Sequence, residues 1–335
     1  MSDSDKTSFS ILGAGSWGTA LAILLARNGH DVYLWGHHTA HIETLQQQKE
    51  NRQYLPDIGF PENLHPVSDV SDCVKHSSNC LIAVPSHAFR HVLDQINPIL
   101  KDKPVIWATK GIEPDSKKLI HEIVEETLGS QHIMAVISGP TFAQEVAQGL
   151  PTALTVASNN PEFAEQLAGW LHGESMRAYT SDDIIGVEIG GAIKNVLAIA
   201  AGIADGLGFG ANTRSALITR GLHEIMMLGT ALGGKKETFM GLAGLGDLVL
   251  TCTDNQSRNR RLGLALAQGK TMQQALDDIK QTVEGIQTTE EALGLARKYN
   301  IEMPITQQVS NVLNNKITAR DAVHLLLGRE QKSEA

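Results

Sequence analysis

One lysine stands in an apolar stretch. Lys194 lies in IIGVEIGGAIKNVLAIAAGIADGLG, Ile184 to Gly208, where Glu188 and Asp205 are the only other charges. Ala, Ile and Leu dominate, so the stretch reads as a helix despite its glycines. A lysine in such company either snorkels to water or is held by a partner. Held and partly desolvated, it has a lowered pKa and can move protons. Further on, Asp247 and Thr251 are four apart and share one helix face. Ser257-Arg258-Asn259-Arg260-Arg261 follows. Such a run is either a solvated basic face or a guanidinium-and-amide grip suited to a phosphate dianion.

A second chemistry sits near the start. Ser8 to Leu12 reads as a strand and runs into Gly13-Ala14-Gly15-Ser16-Trp17-Gly18. A helical run, Thr19 to Arg27, and a second strand, Asp31 to Trp35, come next. Strand, G-x-G-x-x-G, helix, strand is the context in which this motif binds a dinucleotide. Gly13 permits the tight turn, Gly15 lets backbone approach a pyrophosphate, and Gly18 lets the helix pack on the sheet. The second strand ends in Gly36-His37-His38, not in the Asp or Glu that reads the ribose hydroxyls of NAD. With no carboxylate to repel a 2′-phosphate, and His37 able to donate to one, the reading favours NADP(H) with NAD(H) tolerated. The alternative is that His37 and His38 are ordinary surface residues.

Elements that position these residues follow in order. Cys80 to Val84, Val105 to Ala108 and Ile133 to Ser138 are short apolar runs bounded by turn residues, as buried parallel strands are. Helical patterns, His87 to Leu100 and Ser116 to Leu128, lie between them. The alternation predicts a doubly wound, mostly parallel α/β sheet, with ligands outside the carboxyl ends of its strands. Lys110 falls at one such end and Gly139, Thr141 and Ala143 at another. Thr141 with Gln144 forms a capping-box pattern, which predicts a helix opening there. Further strands are expected near Ala153 to Ala157 and Met176 to Thr180. Beyond Asp182 the pattern is helical, with GLAGLG (residues 241–246) read as a tight loop and Val283-Glu284-Gly285 as a turn. The expected architecture is a Rossmann-like dinucleotide domain over 1–183 and an all-α substrate domain over 184–335.

Composition bounds the function. The 335 residues are 42% hydrophobic and 19% charged, with a net charge of -9. That charge argues against general nucleic-acid binding. The polar N-terminus lacks a signal-peptide pattern. The central stretch comes nearest to a membrane span, but its charges and glycines read better as a buried helix. Cys73, Cys80 and Cys252 lack metal-ligand spacing and fit reduced thiols in the cytoplasm; no metal site is expected. Together these features describe an oxidoreductase acting on a small phosphorylated substrate.

The motifs GAGSWGTALA, AVPSHAFR, WATKGIE, ISGPTFAQEVAQGLPTA, IGGAIKNVLAIAAGIADG, MGLAGLGDLVLTC, SRNRRLG and VEG run in order through nearly the whole chain. Taken together they resemble the bacterial NAD(P)-dependent glycerol-3-phosphate dehydrogenases, with Trp17 where that family varies its aromatic. The resemblance implies that Lys194 is the proton acceptor for the substrate hydroxyl. It implies that Lys110, Gly139, Thr141, Lys194, Asp247, Ser257, Arg258 and Asn259 line the substrate site. It implies that Ser16, Trp17, His37, Lys110, Ala143, Arg258, Val283 and Glu284 touch the cofactor. In such an enzyme dihydroxyacetone phosphate and sn-glycerol 3-phosphate interconvert, the reductive direction supplies phospholipid synthesis, and homodimers are common. Two other readings stand beside it. One is a two-domain dehydrogenase for a hydroxy acid or another sugar phosphate. The other is a cofactor-binding sensor without turnover.

Overall fold

The computed structural model describes residues 6–329. Its contacts divide into two units. One takes residues up to Glu113 together with Lys118–Glu188; the other takes Pro114–Lys117 and the chain from Ile189 onward.

The first unit starts with β1 (Ser8–Leu12), α1 (Ser16–Arg27), β2 (Asp31–Trp35), α2 (Thr39–Gln48) and a small hairpin, β3 (Glu50–Asn51) with β4 (Leu55–Gly59). It continues through β5 (Leu64–Val67), α3 (Val70–Lys75), β6 (Asn79–Ile82), α4 (Ser86–Leu100), β7 (Val105–Trp107) and α5 (Ile120–Leu128). β8 (Met134–Ser138), α6 (Ala143–Gln148), β9 (Thr152–Ser158), α7 (Pro161–Leu171) and β10 (Met176–Ser181) complete it. Eight strands form one sheet in the order β10-β9-β8-β7-β6-β1-β2-β5. All pairs are parallel except β8 with β9. The chain winds outward from β1 in both directions, so the order reverses at β1 and β6, the crevice where such sheets bind nucleotides. β6, β7 and β8 are buried at every position, which is why they read as continuous apolar runs rather than alternating ones. α4 shows the complementary pattern: Phe89, Val92, Leu93, Ile96 and Leu100 form its buried stripe.

The second unit is helical. α8 (Ile184–Gly206) begins among the residues of the first unit and carries Lys194. α9 (Ala211–Ala231), α10 (Lys236–Met240), a π-helical turn (Leu242–Gly246) and α11 (Asp247–Thr253) follow. Then come α12 (Arg258–Ala267), α13 (Met272–Ile279), α14 (Glu284–Lys298), α15 (Pro304–Leu313) and α16 (Ala319–Leu327). α8 is long and apolar enough to cross a membrane by length and composition, and 89% of its most apolar window is buried inside the protein.

Three local expectations are corrected. The GLAGLG run is not a loop: Gly246 N–H donates to the Gly241 carbonyl five residues back, at 3.1 Å, and the turn feeds directly into α11. Its backbone lies against α8, where a Cβ on Gly190 would come within 2.5 Å of the Ala243 oxygen. Val283-Glu284-Gly285 is a helix start, with Val283 as N-cap of α14. Thr141 and Gln144 make no capping box: α6 opens at Ala143 with Phe142 as N-cap. The Thr141 hydroxyl donates instead to the Gly139 carbonyl at 3.2 Å, the kind of local bond by which Thr competes with helix entry. The structure also adds α2, the β3–β4 hairpin, β5, α3, α7, α10 and α16, for which the sequence reading has no element.

Candidate active site

The glycine-rich turn has the shape a pyrophosphate needs. Gly13 sits at φ +129°, and a Cβ there would meet the Ala83 oxygen at 2.6 Å. A Cβ on Gly18 would lie 1.9 Å from the Gly13 oxygen. Only glycine fits either place. At Gly15, the N-cap of α1, a Cβ would meet nothing within 4 Å. The open space therefore lies at the N-terminus of a twelve-residue helix, where unpaired N–H groups favour an anion. The residues present fit a dinucleotide. Ser16 begins α1, and its Oγ donates to the Tyr54 carbonyl at 2.7 Å. Trp17 packs against the core of the first unit, with its Nε1 buried and unbonded among the described residues. His37 is exposed just past β2, its ring 3.7 Å from that of His38. Burial and then the neighbouring His38 hold the His37 pKa below the usual histidine value.

Two strand ends meet on one carbonyl. Lys110, just past β7, places Nζ 3.4 Å from the Gly139 oxygen, the same oxygen that accepts from Thr141. Ala143 is the first residue of α6. Lys110 and Gly139, 29 residues apart in the chain, are thus neighbours in the first unit, with Thr141 beside them.

In the second unit Lys194 is 7% exposed. It does not snorkel. Its Nζ donates to Asp247 Oδ1 at 2.5 Å and to Thr251 Oγ1 at 2.9 Å, and Thr251 also donates to Asp247 Oδ1 at 3.3 Å. The four-residue spacing on α11 is what lets both groups reach one amine. Burial favours the neutral amine and the carboxylate favours the ammonium, so two opposed forces act on one proton.

Beside the lysine lies a residue the sequence reading misses. Asn195 Oδ1 accepts from Asn259 Nδ2 at 3.0 Å, and Asn259 Oδ1 accepts from Gly285 N at 2.9 Å. Asn195 Nδ2 also donates to Glu284 Oε2 at 3.4 Å. One amide thus ties α8 to α12 and α14. Its one signal in the sequence is its place next to Lys194 in a helix otherwise poor in polar groups. Ser257 is the N-cap of α12, accepting from Arg260 N at 3.2 Å, and Arg258 and Asn259 form the first positions of that helix. Arg258 is half-buried. Arg260 points elsewhere. Its Nη1 donates to Asp205 Oδ2 at 2.5 Å, and Arg214 donates to the same oxygen at 2.8 Å. The basic run therefore divides between a structural ion pair and a helix start. Cys252 is fully buried, and burial pushes its thiol up to about 12, which leaves no thiolate nucleophile there.

A doubly wound sheet with a dinucleotide turn, followed by helices around a buried lysine and carboxylate, defines an NAD(P)-dependent oxidoreductase. Comparison with known proteins narrows the class. The family profile described as NAD-dependent glycerol-3-phosphate dehydrogenase N-terminus matches residues 8–164, and its C-terminus counterpart matches residues 183–324. The glycerol-3-phosphate dehydrogenase [NAD(P)+] of Yersinia pestis (strain Pestoides F) is 54% identical over 99% of this chain and 98% of its own. The crystal structure of glycerol-3-phosphate dehydrogenase from Coxiella burnetii is 49% identical, with a TM-score of 0.94 over 97% of this chain and 100% of that one. The solved structure of the Saccharomyces cerevisiae glycerol-3-phosphate dehydrogenase is 25% identical, with a TM-score of 0.82 over 96% of this chain and 99% of that one. The chain belongs to the NAD-dependent glycerol-3-phosphate dehydrogenase family.

Proposed function

We propose that this enzyme interconverts sn-glycerol 3-phosphate and dihydroxyacetone phosphate with Lys194 as its acid–base group. The observation that carries the assignment is the buried Lys194 amine held by Asp247 and Thr251. NAD(P)+, when bound, supplies the acceptor for the hydride that leaves C2. As the alcohol is oxidised, the neutral Lys194 amine takes the proton of the C2 hydroxyl. In reduction the Lys194 ammonium returns it to the oxygen developing at C2, which a positioned acid accelerates. Asp247 and Thr251 orient the amine, so little rotamer freedom is lost on reaching the transition state.

Ser257, Arg258 and Asn259 at the start of α12 take the phosphate, with a guanidinium fork and helix N–H groups suited to a dianion. Lys110, Gly139 and Thr141 complete the substrate site. Gly13, Gly15, Ser16, Trp17, Gly18, His37, Ala143, Val283 and Glu284 hold the cofactor, with Lys110 and Arg258 touching it as well. NADP(H) is preferred over NAD(H). The division at 183/184, a homodimeric state and a cytoplasmic place supplying phospholipid synthesis belong to the same reading.

Lys194→Ala tests it. The substitution should lower turnover with dihydroxyacetone phosphate by roughly 10²- to 10⁴-fold, the usual worth of a general acid. NADPH affinity, read by quenching of protein fluorescence, should stay unchanged. Near-normal turnover would remove Lys194 from the chemistry.

A further inference from the structure

The end of β2 lacks the carboxylate that reads a ribose, yet a neutral imidazole in its place carries no charge. Burial and then His38 lower the His37 pKa, and burial lowers that of His41 as well. A neutral imidazole donates one hydrogen bond, whereas a phosphate monoester carries about −1.5 to −2 charge at pH 7. A dianion held there needs a cation.

The hairpin that follows α2 brings one. His38, His41 and Thr44 share a cavity of about 540 Å³ with Glu50, Arg52 and Gln53. The hairpin is fastened to the glycine-rich turn from both sides. Asn51, fully buried, donates through Nδ2 to the Ala14 carbonyl at 3.0 Å and to Thr19 Oγ1 at 2.8 Å. Ser16 Oγ donates to the Tyr54 carbonyl at 2.7 Å, and Tyr54 N donates to Asn51 Oδ1 at 3.3 Å. Arg52 therefore projects from a turn pinned at Asn51 and Tyr54, directly beside the dinucleotide turn.

We propose that Arg52 is the cation that reads the 2′-phosphate of NADP(H), and so sets the cofactor preference. The inference rests on the NADP(H) preference proposed above. Glu50, the carboxylate in the same cavity, offsets part of the Arg52 charge but occupies only one edge of the guanidinium. Its Oε1 accepts from Asp57 N at 2.8 Å and its Oε2 from Arg52 Nε at 3.0 Å. It thus holds the guanidinium by its Nε edge. Arg52 makes no other hydrogen bond among the described residues, so its two Nη groups face outward as the fork that suits a phosphate. A guanidinium keeps its charge across the physiological range, which an imidazole does not.

The test is binding, not turnover. Wild type, Arg52→Gln and Arg52→Lys are titrated with NADPH and with NADH at about pH 8, where ordinary histidines are neutral. Arg52→Gln should weaken NADPH roughly tenfold or more, the loss expected of a charge-assisted fork, and leave NADH within about twofold. Arg52→Lys keeps the charge without the fork and should fall between. An equal change for both cofactors, in both variants, overturns the assignment. The wild-type ratio is read separately. A wild type that binds NADH as tightly as NADPH refutes the preference, while a selective NADPH loss in Arg52→Gln still upholds Arg52. A wild type that prefers NADPH and keeps its ratio in both variants refutes Arg52 alone.

Discussion

At the scale of the residue, the site turns on one proton shared between burial and a carboxylate. Asp247 both stabilises the Lys194 ammonium and fixes its direction. Asp247→Asn removes the charge and keeps the shape. Without that negative neighbour the ammonium is disfavoured, so Lys194 loses its proton at lower pH. In the direction of glycerol 3-phosphate oxidation, which needs the free amine, the acidic limb of the pH–rate curve should therefore move to lower pH. The maximal rate should fall by about 10²-fold, because the amine is less well aimed. A limb that stays in place, measured over the full profile, would mean that Asp247 does not act on the lysine's charge. The basic run shows how residue type alone misleads. Arg258 and Arg260 are two apart and chemically alike, yet Arg260 is spent on Asp205, and only the fold tells them apart.

At the scale of the element, α8 is held at its first turns by a charge from its own sequence. Glu188 Oε2 pairs with His121 Nδ1 at 2.5 Å, and Glu188 Oε1 accepts from His121 N at 3.0 Å, so one carboxylate caps the start of α5 and pairs with its ring. Burial pulls the His121 pKa down, but the charge of Glu188 and the bond to it push harder, and the net shift is upward. The sign follows from linkage. A histidine pKa raised on folding contributes stability that is complete below about pH 6.5, its unfolded value, and fades as pH rises through the folded value. The melting temperature of wild type should therefore decline as pH rises above neutrality, and His121→Gln should flatten that decline. A profile with the same slope in both proteins would show that the pair carries no pH-dependent stability. Elements also hide where glycine serves packing rather than turning. Gly285 reads as a turn residue, yet it lies inside α14, where a Cβ would strike Asn259 Oδ1 at 2.6 Å and the Asn195 oxygen at 2.8 Å.

At the scale of the whole molecule, a ligand that binds only the folded chain stabilises it by mass action. NADPH at about a hundred times its dissociation constant should add about 2.7 kcal/mol to the unfolding free energy. The thermal midpoint should rise by the same amount in wild type and in Lys194→Ala, since that lysine is assigned to proton transfer rather than to cofactor binding. A rise confined to wild type would place Lys194 in cofactor binding. The net charge of -9 is a property of this scale as well. It disfavours polyanions in general and leaves anion binding to local devices, the helix starts and arginine forks described above.

Much of the first unit was legible in the sequence, because its signals are local. β1 and β2 fall where their apolar runs lie, and the glycine spacing between them admits few conformations. The four-residue interval from Asp247 to Thr251 likewise fixes a shared face before any partner is known. The partner itself was not legible. Whether Lys194 reaches water or a carboxylate depends on a residue 53 positions away, and no periodicity records that distance. The same holds for Asn195, whose bonds run to residues 64 and 89 positions on, and for Arg260 and Asp205. The β3–β4 hairpin escapes because β3 is only two residues long, β4 carries Pro56, Asp57 and Gly59 in place of an apolar run, and the hairpin is held by side-chain bonds from Asn51. Sequence determined which backbone each segment favours and which chemistry it carries. Tertiary structure decided which charges are desolvated and by what they are paired, because both depend on what packs around a group and not on its neighbours along the chain.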